Sequence, residues 1–291
     1  MKKYSIGIDM GGTNTKIALV GSGGRILEKR QFLTKSCKNK DILIKTIADN
    51  INCFKARGIA GVGIGVPGLV DSKNGIVHYL TNIAGWKDVN LKKELKARTG
   101  IGKIFVDNDV NLMALAEARY GAGRRVKSLF CVTLGTGVGG GIVINGEVYR
   151  GNTQSAGEVG HIVLDASGPK CNCGGRGCVE AYVGNNHIIK KFGVTPQELT
   201  KLAKQGNMRA KNIWKETAEY LGRGLVMVVN VFDPEVIIIG GGVSGAGEFI
   251  LKPLREYIRK HALSVPAEKV RIVRAKLGND AGVIGAAELV R

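Results

Sequence analysis

The spacing of apolar and polar positions changes several times along the chain, and each change predicts an element. Ile6-Gly7-Ile8-Asp9 and Lys16-Ile17-Ala18-Leu19-Val20 are short apolar runs that predict two neighbouring strands. Residues 41–57 place Ile42, Ile44, Ile47, Ile51 and Phe54 at helical spacing. Residues 61–66 predict a strand ended by Pro67-Gly68, and residues 79–86 an irregular loop carrying Asn82 and Trp86. Residues 104–107 predict a further strand, and 110–120 a helix closed by Gly121. Cys131-Val132-Thr133-Leu134 and Ile142-Val143-Ile144 are strands on either side of a glycine-rich stretch, 135–141. Thr195-Pro196-Gln197-Glu198 is a capping box with proline at the first helical position, and its helix should end near Gly206. A long helix over 210–231 stops at Asp233-Pro234, residues 236–239 form a strand, and residues 248–260 a helix. The tail, 279–287, is a helix of small residues suited to close packing. Strands alternating with helices predict an α/β architecture with mixed sheets, and 291 residues suffice for two domains.

Glycine changes this picture first. It supplies 43 of the 291 residues, about double its usual share of ~7%. No Gly-x-y period is present, so the excess belongs to turns and ligand loops. Met10-Gly11-Gly12-Thr13-Asn14-Thr15 lies between the first two strands, and a turn of this kind exposes amides that suit phosphate. Asp9 at the strand end would suit Mg²⁺ held through water beside those phosphates. An ordinary hairpin turn is the other reading, and the sequence leaves both open. The same order of strand, glycines and strand returns about 125 residues later at 131–144, a weak internal repeat. If both halves fold alike, two such tips could hold one polyphosphate.

Gly-x-Gly-x-x-Gly occurs three times, at Gly63/Gly65/Gly68, Gly135/Gly137/Gly140 and Gly240/Gly242/Gly245. A dinucleotide site needs a strand before such glycines and a helix directly after them. The first has Pro67 inside it and the second continues into a strand, which disfavours an NAD-dependent oxidoreductase. Only Gly240-Gly241-Gly242 has strand–turn–helix order, and it is a candidate nucleotide contact.

Cysteine brings in a metal. Three of the six cysteines fall in Cys171-Asn172-Cys173-Gly174-Gly175-Arg176-Gly177-Cys178. Three thiolates leave a tetrahedral zinc one ligand short, and His161, ten residues upstream, is the nearest imidazole. A complete His-Cys-Cys-Cys set keeps no position open for water, so the metal reads as structural. Clustered thiols without an export signal indicate a reducing cytoplasm. The lysines near Met1 are followed by Asp9 and glycines rather than an apolar core, and no run has the length of a membrane span.

Charge narrows the partners. Lys and Arg number 43 against 24 Asp and Glu, for a formal charge of +19. The basic residues occur as isolated pairs such as Arg124-Arg125 and Lys190-Lys191, without interleaved aromatics. That distribution fits a solvated basic surface rather than a specific nucleic-acid site. Asn108 and Asp109 stand at a predicted helix start, where both are favoured capping residues. The pattern favours the cap, while a carboxylate there could also orient a hydroxyl and take its proton late in phosphoryl transfer.

With both glycine hairpins, Asn108-Asp109 and the cysteine loop together, the chain resembles the ROK family of sugar kinases and sugar-responsive repressors. Asp9-Met10-Gly11-Gly12-Thr13 is similar to the family's first phosphate motif. Residues 134–161, including Gly157-Glu158-Val159-Gly160-His161, are similar to its long signature, and residues 171–180 to its zinc motif. The resemblance implies two ribonuclease-H-like domains of the actin/hexokinase superfamily around a central cleft, residues 1–107 with 279–291 and residues 108–278. It implies ATP and Mg²⁺ bound near Asp9, Gly11, Gly12, Thr13, Lys16, Gly135, Thr136 and Gly137, with Gly240, Gly241 and Gly242 by the adenosine. A hexose would meet Asn82, Asn108, Asp109, Glu158, His161 and Glu180, with Asp109 as general base. Structural Zn²⁺ on His161, Cys171, Cys173 and Cys178 would orient the His161 ring. Glucose is the expected substrate, with N-acetylmannosamine, fructose or allose as alternatives. A homodimer or homotetramer is expected. A DNA-binding repressor is disfavoured because the first hairpin begins at once, leaving no room ahead of Asp9 for a helix-turn-helix.

Overall fold

The computed structural model describes residues 4–80 and 83–291. The chain forms two compact units. The first comprises Met1–Gly121, Val148–Ala156 and Asn279–Arg291, and the second Ala122–Glu147 and Gly157–Gly278. In chain order, the first unit contains β1 (Tyr4–Met10), β2 (Asn14–Val20), β3 (Ile26–Leu33), α1 (Lys40–Phe54) and β4 (Ile59–Val66). It continues with β5 (Val70–Asp71), β6 (Ile76–Tyr79), β7 (Lys87–Asn90), α2 (Leu91–Thr99), β8 (Ile104–Asn108) and α3 (Asp109–Tyr120). Then follow β9 (Ser128–Leu134), β10 (Val138–Ile144), β11 (Glu147–Tyr149), α4 (Glu180–Val183), α5 (Asn185–Phe192), α6 (Pro196–Lys204) and α7 (Met208–Phe232). The last elements are β12 (Val236–Gly240), α8 (Glu248–His261), α9 (Ser264–Lys269), β13 (Arg271–Arg274) and α10 (Ala281–Glu288), of which α10 returns to the first unit.

The first unit is built on a five-stranded sheet of order β3-β2-β1-β4-β8. β1, β2 and β3 form an antiparallel meander, while β4 and β8 run parallel to β1. The apolar face of α1 (Leu43, Ile44, Ile47, Ile51, Phe54) is buried against Ile6, Ile8, Ile17 and Leu19 of the sheet. Burying each such side chain contributes roughly 1.5–3 kcal/mol relative to leaving it in water. Asn39 caps α1 by accepting the Ile42 amide at 3.0 Å. α10 packs on β1, β4 and α3 at a separation that only glycine permits. A Cβ on Gly7 would lie 1.8 Å from the Val283 carbonyl oxygen, and one on Gly63 would lie 1.7 Å from that of Ala286. The small-residue tail is thus matched by small residues in the strands it covers.

The second unit's sheet has order β11-β10-β9-β12-β13. β9 and β10 are antiparallel, and β12 is parallel to both β9 and β13. Its core joins Phe130, Val132, Ile237 and Ile239 to Trp214, Leu221 and Leu225 of α7 and to Leu251, Leu254 and Ile258 of α8. Numbering each sheet's strands in chain order gives 3-2-1-4-5 in both, so the repeat seen in the glycine hairpins extends to the whole sheet.

Three features depart from the sequence expectations. The break expected after Asp107 falls after Gly121, because α3 packs on α10 and β4. Residues 70–90 contain a three-stranded sheet, β5-β6-β7, whose strands of two to four residues are too short to show a period. Gly139, Gly140 and Gly141, expected in the second hairpin tip, lie within β10 opposite Thr133, Val132 and Cys131. A Cβ on Gly140 would sit 2.1 Å from the Gly157 carbonyl oxygen, so that glycine serves a close approach rather than a turn. Among the described residues no helix is long and apolar enough to cross a membrane.

Candidate active site

In the first unit, three loops leave the carboxyl ends of adjacent parallel strands, the edge at which open α/β sheets usually bind ligands. Asp9 pairs in register with Gly65, and Val66 with Asn108, so the turn after β1, the Pro67-Gly68 corner and the start of α3 stand side by side. Gly65 brings two of them close: a Cβ there would be 3.5 Å from the Asp109 Cα and 3.6 Å from the Ile8 carbonyl oxygen. Asp9 and Asp109 are therefore neighbours at one end of one sheet.

The first turn is braced from below. The Gly11 amide donates to the Asn14 carbonyl at 3.0 Å, the Thr34 hydroxyl donates to the Gly11 carbonyl at 2.7 Å, and the Thr34 amide to Thr13 at 2.9 Å. Among the described residues the amides of Gly12 and Thr13 have no acceptor, which leaves them as donors for an anion. Lys16 Nζ lies 3.5 Å from Asp9 Oδ2 and donates to the Asn279 carbonyl at 3.0 Å. Desolvation pushes the Asp9 carboxyl above the usual range, and the Lys16 charge pulls it part of the way back.

At the start of α3 the capping role belongs to Asn108, whose Oδ1 accepts from the amides of Val110 (2.9 Å) and Asn111 (3.2 Å). Its Nδ2 donates to the Gly68 carbonyl at 3.1 Å. Asp109 occupies the first helical position, with Oδ1 accepting from Val110 N at 2.9 Å. Asn82 lies outside the described residues.

Nothing local in the chain marks the pair beneath this cap. Asp107, 2% exposed, accepts two hydrogen bonds at Oδ2 from Arg150, from Nε at 2.9 Å and Nη2 at 2.6 Å. Its Oδ1 accepts from the Asn108 amide at 2.8 Å and from Asn111 Nδ2 at 3.1 Å. The two residues are 43 positions apart, and each reads alone as an ordinary charge.

In the second unit, Gly135–Gly137 and Gly240–Gly242 leave the same end of the neighbouring strands β9 and β12, where Thr133 pairs with Gly240. The Gly135 amide closes its own turn on the Gly137 carbonyl at 2.9 Å, and the Asn185 amide donates to the Gly135 carbonyl at 2.9 Å. Glu180 Oε2 accepts from the Val138 amide at 2.9 Å, so this carboxylate holds the rising side of the turn. A short 3-10 turn, Gly242–Ala246, separates Gly240-Gly241 from α8.

The cysteine loop also belongs to this unit. The ligand atoms of His161, Cys171, Cys173 and Cys178 all lie within 4.8 Å of one another. The Cys173 and Cys178 sulfurs are 3.8 Å apart, and the Cys171 sulfur is 3.7 Å from His161 Nδ1. A tetrahedral zinc with Zn–S bonds of about 2.3 Å requires sulfurs about 3.8 Å apart, so these residues fit the ion. Burial and the neighbouring thiols push the Cys178 thiol up to about 12, and burial raises Cys171. A backbone hydrogen bond at Gly175 lowers Cys173. With Nδ1 facing the sulfurs, His161 Nε2 points toward Glu158, 4.0 Å from Oε2. Glu158 is exposed at its rim, yet partial desolvation raises its pKa; His161 opposes that shift and Glu180 adds to it.

The pattern of the ROK family matches residues 5–291. The chain belongs to the ROK family. It is 37% identical to a glucokinase of Halalkalibacterium halodurans, over 99% of this chain and 95% of that relative. It is 36% identical to a glucokinase of Thermotoga maritima, over 98% and 96%. Among solved structures, the ROK glucokinase of Streptomyces griseus in complex with glucose and AMPPNP superposes with a TM-score of 0.85, at 32% identity and 98% coverage of both chains. The α/β fold of two sheet-based units is thus a ROK fold of the actin/hexokinase class.

Proposed function

We propose that the protein transfers the terminal phosphoryl group of ATP to a hexose, with glucose as the preferred acceptor and glucose 6-phosphate as the product. The observation that carries this reading is the placement of Asp109 beside the Asp9 turn at the ligand-binding edge of one sheet, in a chain whose family relatives include glucokinases.

In this reaction the sugar hydroxyl oxygen bonds to the γ-phosphorus, the bond from that phosphorus to the β-bridging oxygen breaks, and ADP leaves. The transition state is loose, so Asp109 orients the hydroxyl and accepts its proton late. A capping position does not conflict with that task, because Asn108 already satisfies the helix amides. Asp9 would hold Mg²⁺ through water, and that ion, when bound, neutralises charge on the β- and γ-phosphates. Gly11, Gly12, Thr13 and Lys16 would meet the phosphates from one turn, and Gly135, Thr136 and Gly137 from the other, with Gly240–Gly242 by the adenosine. Asn82, Asn108, Glu158, His161 and Glu180 would read the sugar hydroxyls.

Zinc, when bound, supplies rigidity rather than a reaction step, since the four side chains leave it no open position. With Nδ1 on the metal, His161 keeps its proton on Nε2 and presents a fixed donor to a sugar hydroxyl. The test is ADP release from ATP and Mg²⁺ with glucose, N-acetylmannosamine, fructose and allose, each at several concentrations. The highest kcat/KM is expected with glucose. A tenfold preference for another of these sugars would move the substrate within the family, and no sugar-dependent ADP release would overturn the kinase reading.

A further inference from the structure

Val148–Ala156 is the stretch that the chain lends to the first unit between two stretches of the second. It is fastened at two places. Gln154, at φ +62, donates through Nε2 to Asp71 Oδ1 at 2.9 Å and accepts at Oε1 from the Ser72 amide at 2.8 Å and from the Ser72 hydroxyl. Arg150 donates twice to Asp107 and, through Nη1, to the Val148 carbonyl at 3.2 Å. Gln154 ends on exposed or part-buried groups, whereas Arg150 ends on the buried carboxylate of Asp107, and that difference asks for its own explanation.

That explanation lies in what Asp107 does with its other oxygen. Oδ1 accepts from the Asn108 amide and from the Asn111 side chain, the residues on either side of the first helical turn that carries Asp109. Asn108 in turn fixes the amides of Val110 and Asn111 and reaches the Gly68 carbonyl. Asp109 is thus held in a frame whose base is one buried carboxylate. A buried carboxylate is stable in its charged form only with a well-placed counter-charge, and Arg150 provides it with two parallel donors, the arrangement that fixes orientation as well as charge.

We propose that Arg150 is a positioning residue for phosphoryl transfer: through Asp107 it fixes the turn of Asn108 and Asp109, and so the aim of the Asp109 carboxylate at the acceptor hydroxyl. This rests on the kinase reading given above. Misplacement of a reacting group by about 1 Å costs on the order of 10²-fold in rate, so Arg150→Met should lower kcat by about that factor. The KM values for ATP and sugar should stay within a few-fold, since no binding group is removed. Arg150→Lys keeps one charged donor but not the fork, and should recover part of the loss.

Arg150→Met leaves Asp107 buried without its partner and could unfold the first unit. The pair Asp107→Asn/Arg150→Met removes both charges and keeps the fold testable. Gln154→Ala loosens the same segment without touching Asp107 and should leave kcat unchanged. The measurement is kcat and KM for wild type and these variants, normalised to folded protein, together with hydrogen exchange at the Asn108 and Asn111 amides. A low kcat with near-normal KM in the double variant, with faster exchange at those amides and unchanged exchange in α10, supports the proposal. A folded double variant with wild-type kcat overturns it, as does a kcat loss in Gln154→Ala equal to that in Arg150→Met. If wild-type protein phosphorylates no hexose, the kinase reading fails instead, and unchanged exchange in Arg150→Met would then overturn the hold of Arg150 on the turn.

Discussion

The two five-stranded sheets have the same strand order and carry a hairpin turn at the same place, yet they equip that turn differently. In the first, Asp9 faces Lys16 across the hairpin and Gly65 across the parallel pair; in the second, Thr133 faces Gly139 and Gly240. The repeated frame therefore places an amide-bearing turn twice but a carboxylate–lysine pair once. The bracing differs as well. The first turn rests on the hydroxyl and amide of Thr34, whereas the second is held by the carboxylate of Glu180, two residues beyond the last cysteine of the cysteine loop. A shared backbone thus supplies an amide-bearing turn in both sheets, while the Asp9–Lys16 pair, on which the Mg²⁺ role proposed above rests, belongs to the first.

Removing the Asp109 carboxylate tests the proposed assignment of proton chemistry to the first unit. Asp109→Asn keeps the size of the side chain and removes the base, and should lower kcat by about 10²–10⁴-fold. The KM for sugar should change little, as read in a coupled ADP assay and by direct sugar binding. Near-normal turnover would remove Asp109 as the base, and with it the assignment of proton chemistry to the first unit. Removal of zinc comes next. Stripping the ion by chelation, or Cys178→Ser, should cost about 10–100-fold in kcat/KM for sugar, because the His161 ring loses its anchor. Zinc affinity should also rise with pH. The metal-free Cys178 thiol, up at about 12, is protonated at neutral pH, so binding must expel its proton. A pH-independent affinity in chelator competition would argue against this thiol as a ligand.

A smaller effect separates two roles for Glu180. In Glu180→Gln the charge-assisted bond to the Val138 amide becomes a neutral one, a loss of about 1 kcal/mol or about fivefold in binding. If Glu180 serves mainly to hold the second turn, that factor appears in the KM for ATP. A rise confined to the KM for sugar would instead make Glu180 a sugar contact and leave the turn to Asn185.

Much of this was legible in the sequence because the signals are local. The apolar spacing of α1, the capping box of α6 and the run of small residues in α10 each depend on neighbours a few positions apart. The cysteine loop was legible for the same reason, with three thiols in eight residues and His161 close by. What escaped was non-local or sterically disguised. Gly139–Gly141 read as a turn because glycine permits turns, while Gly140 is there to admit the Gly157 carbonyl. Asp107 and Arg150 carry no pattern at all, since a buried ion pair between distant residues is decided by the topology that brings them together.

The smallest effect bears on whether the second unit's stability can be altered apart from its function. Both halves of the α6 capping box are present: Thr195 Oγ1 accepts the Glu198 amide at 3.2 Å, and Glu198 Oε2 accepts the Thr195 amide at 2.9 Å and hydroxyl at 2.7 Å. Thr195→Ala removes the hydroxyl and should cost about 1 kcal/mol of stability, seen as a lower thermal midpoint with kcat and both KM values unchanged. The bonds from Thr195 hold the Glu198 carboxyl below its ordinary range. Its contribution is therefore present above the unfolded-state value and lost as pH falls through the lower folded-state value. The gap in midpoint between wild type and Thr195→Ala should narrow as the pH is lowered through that window. A gap that widens there would reverse the sign of the linkage. A change in KM for ATP would mean that α6, which packs on the 3-10 turn after Gly240-Gly241, transmits its stability to that proposed nucleotide contact.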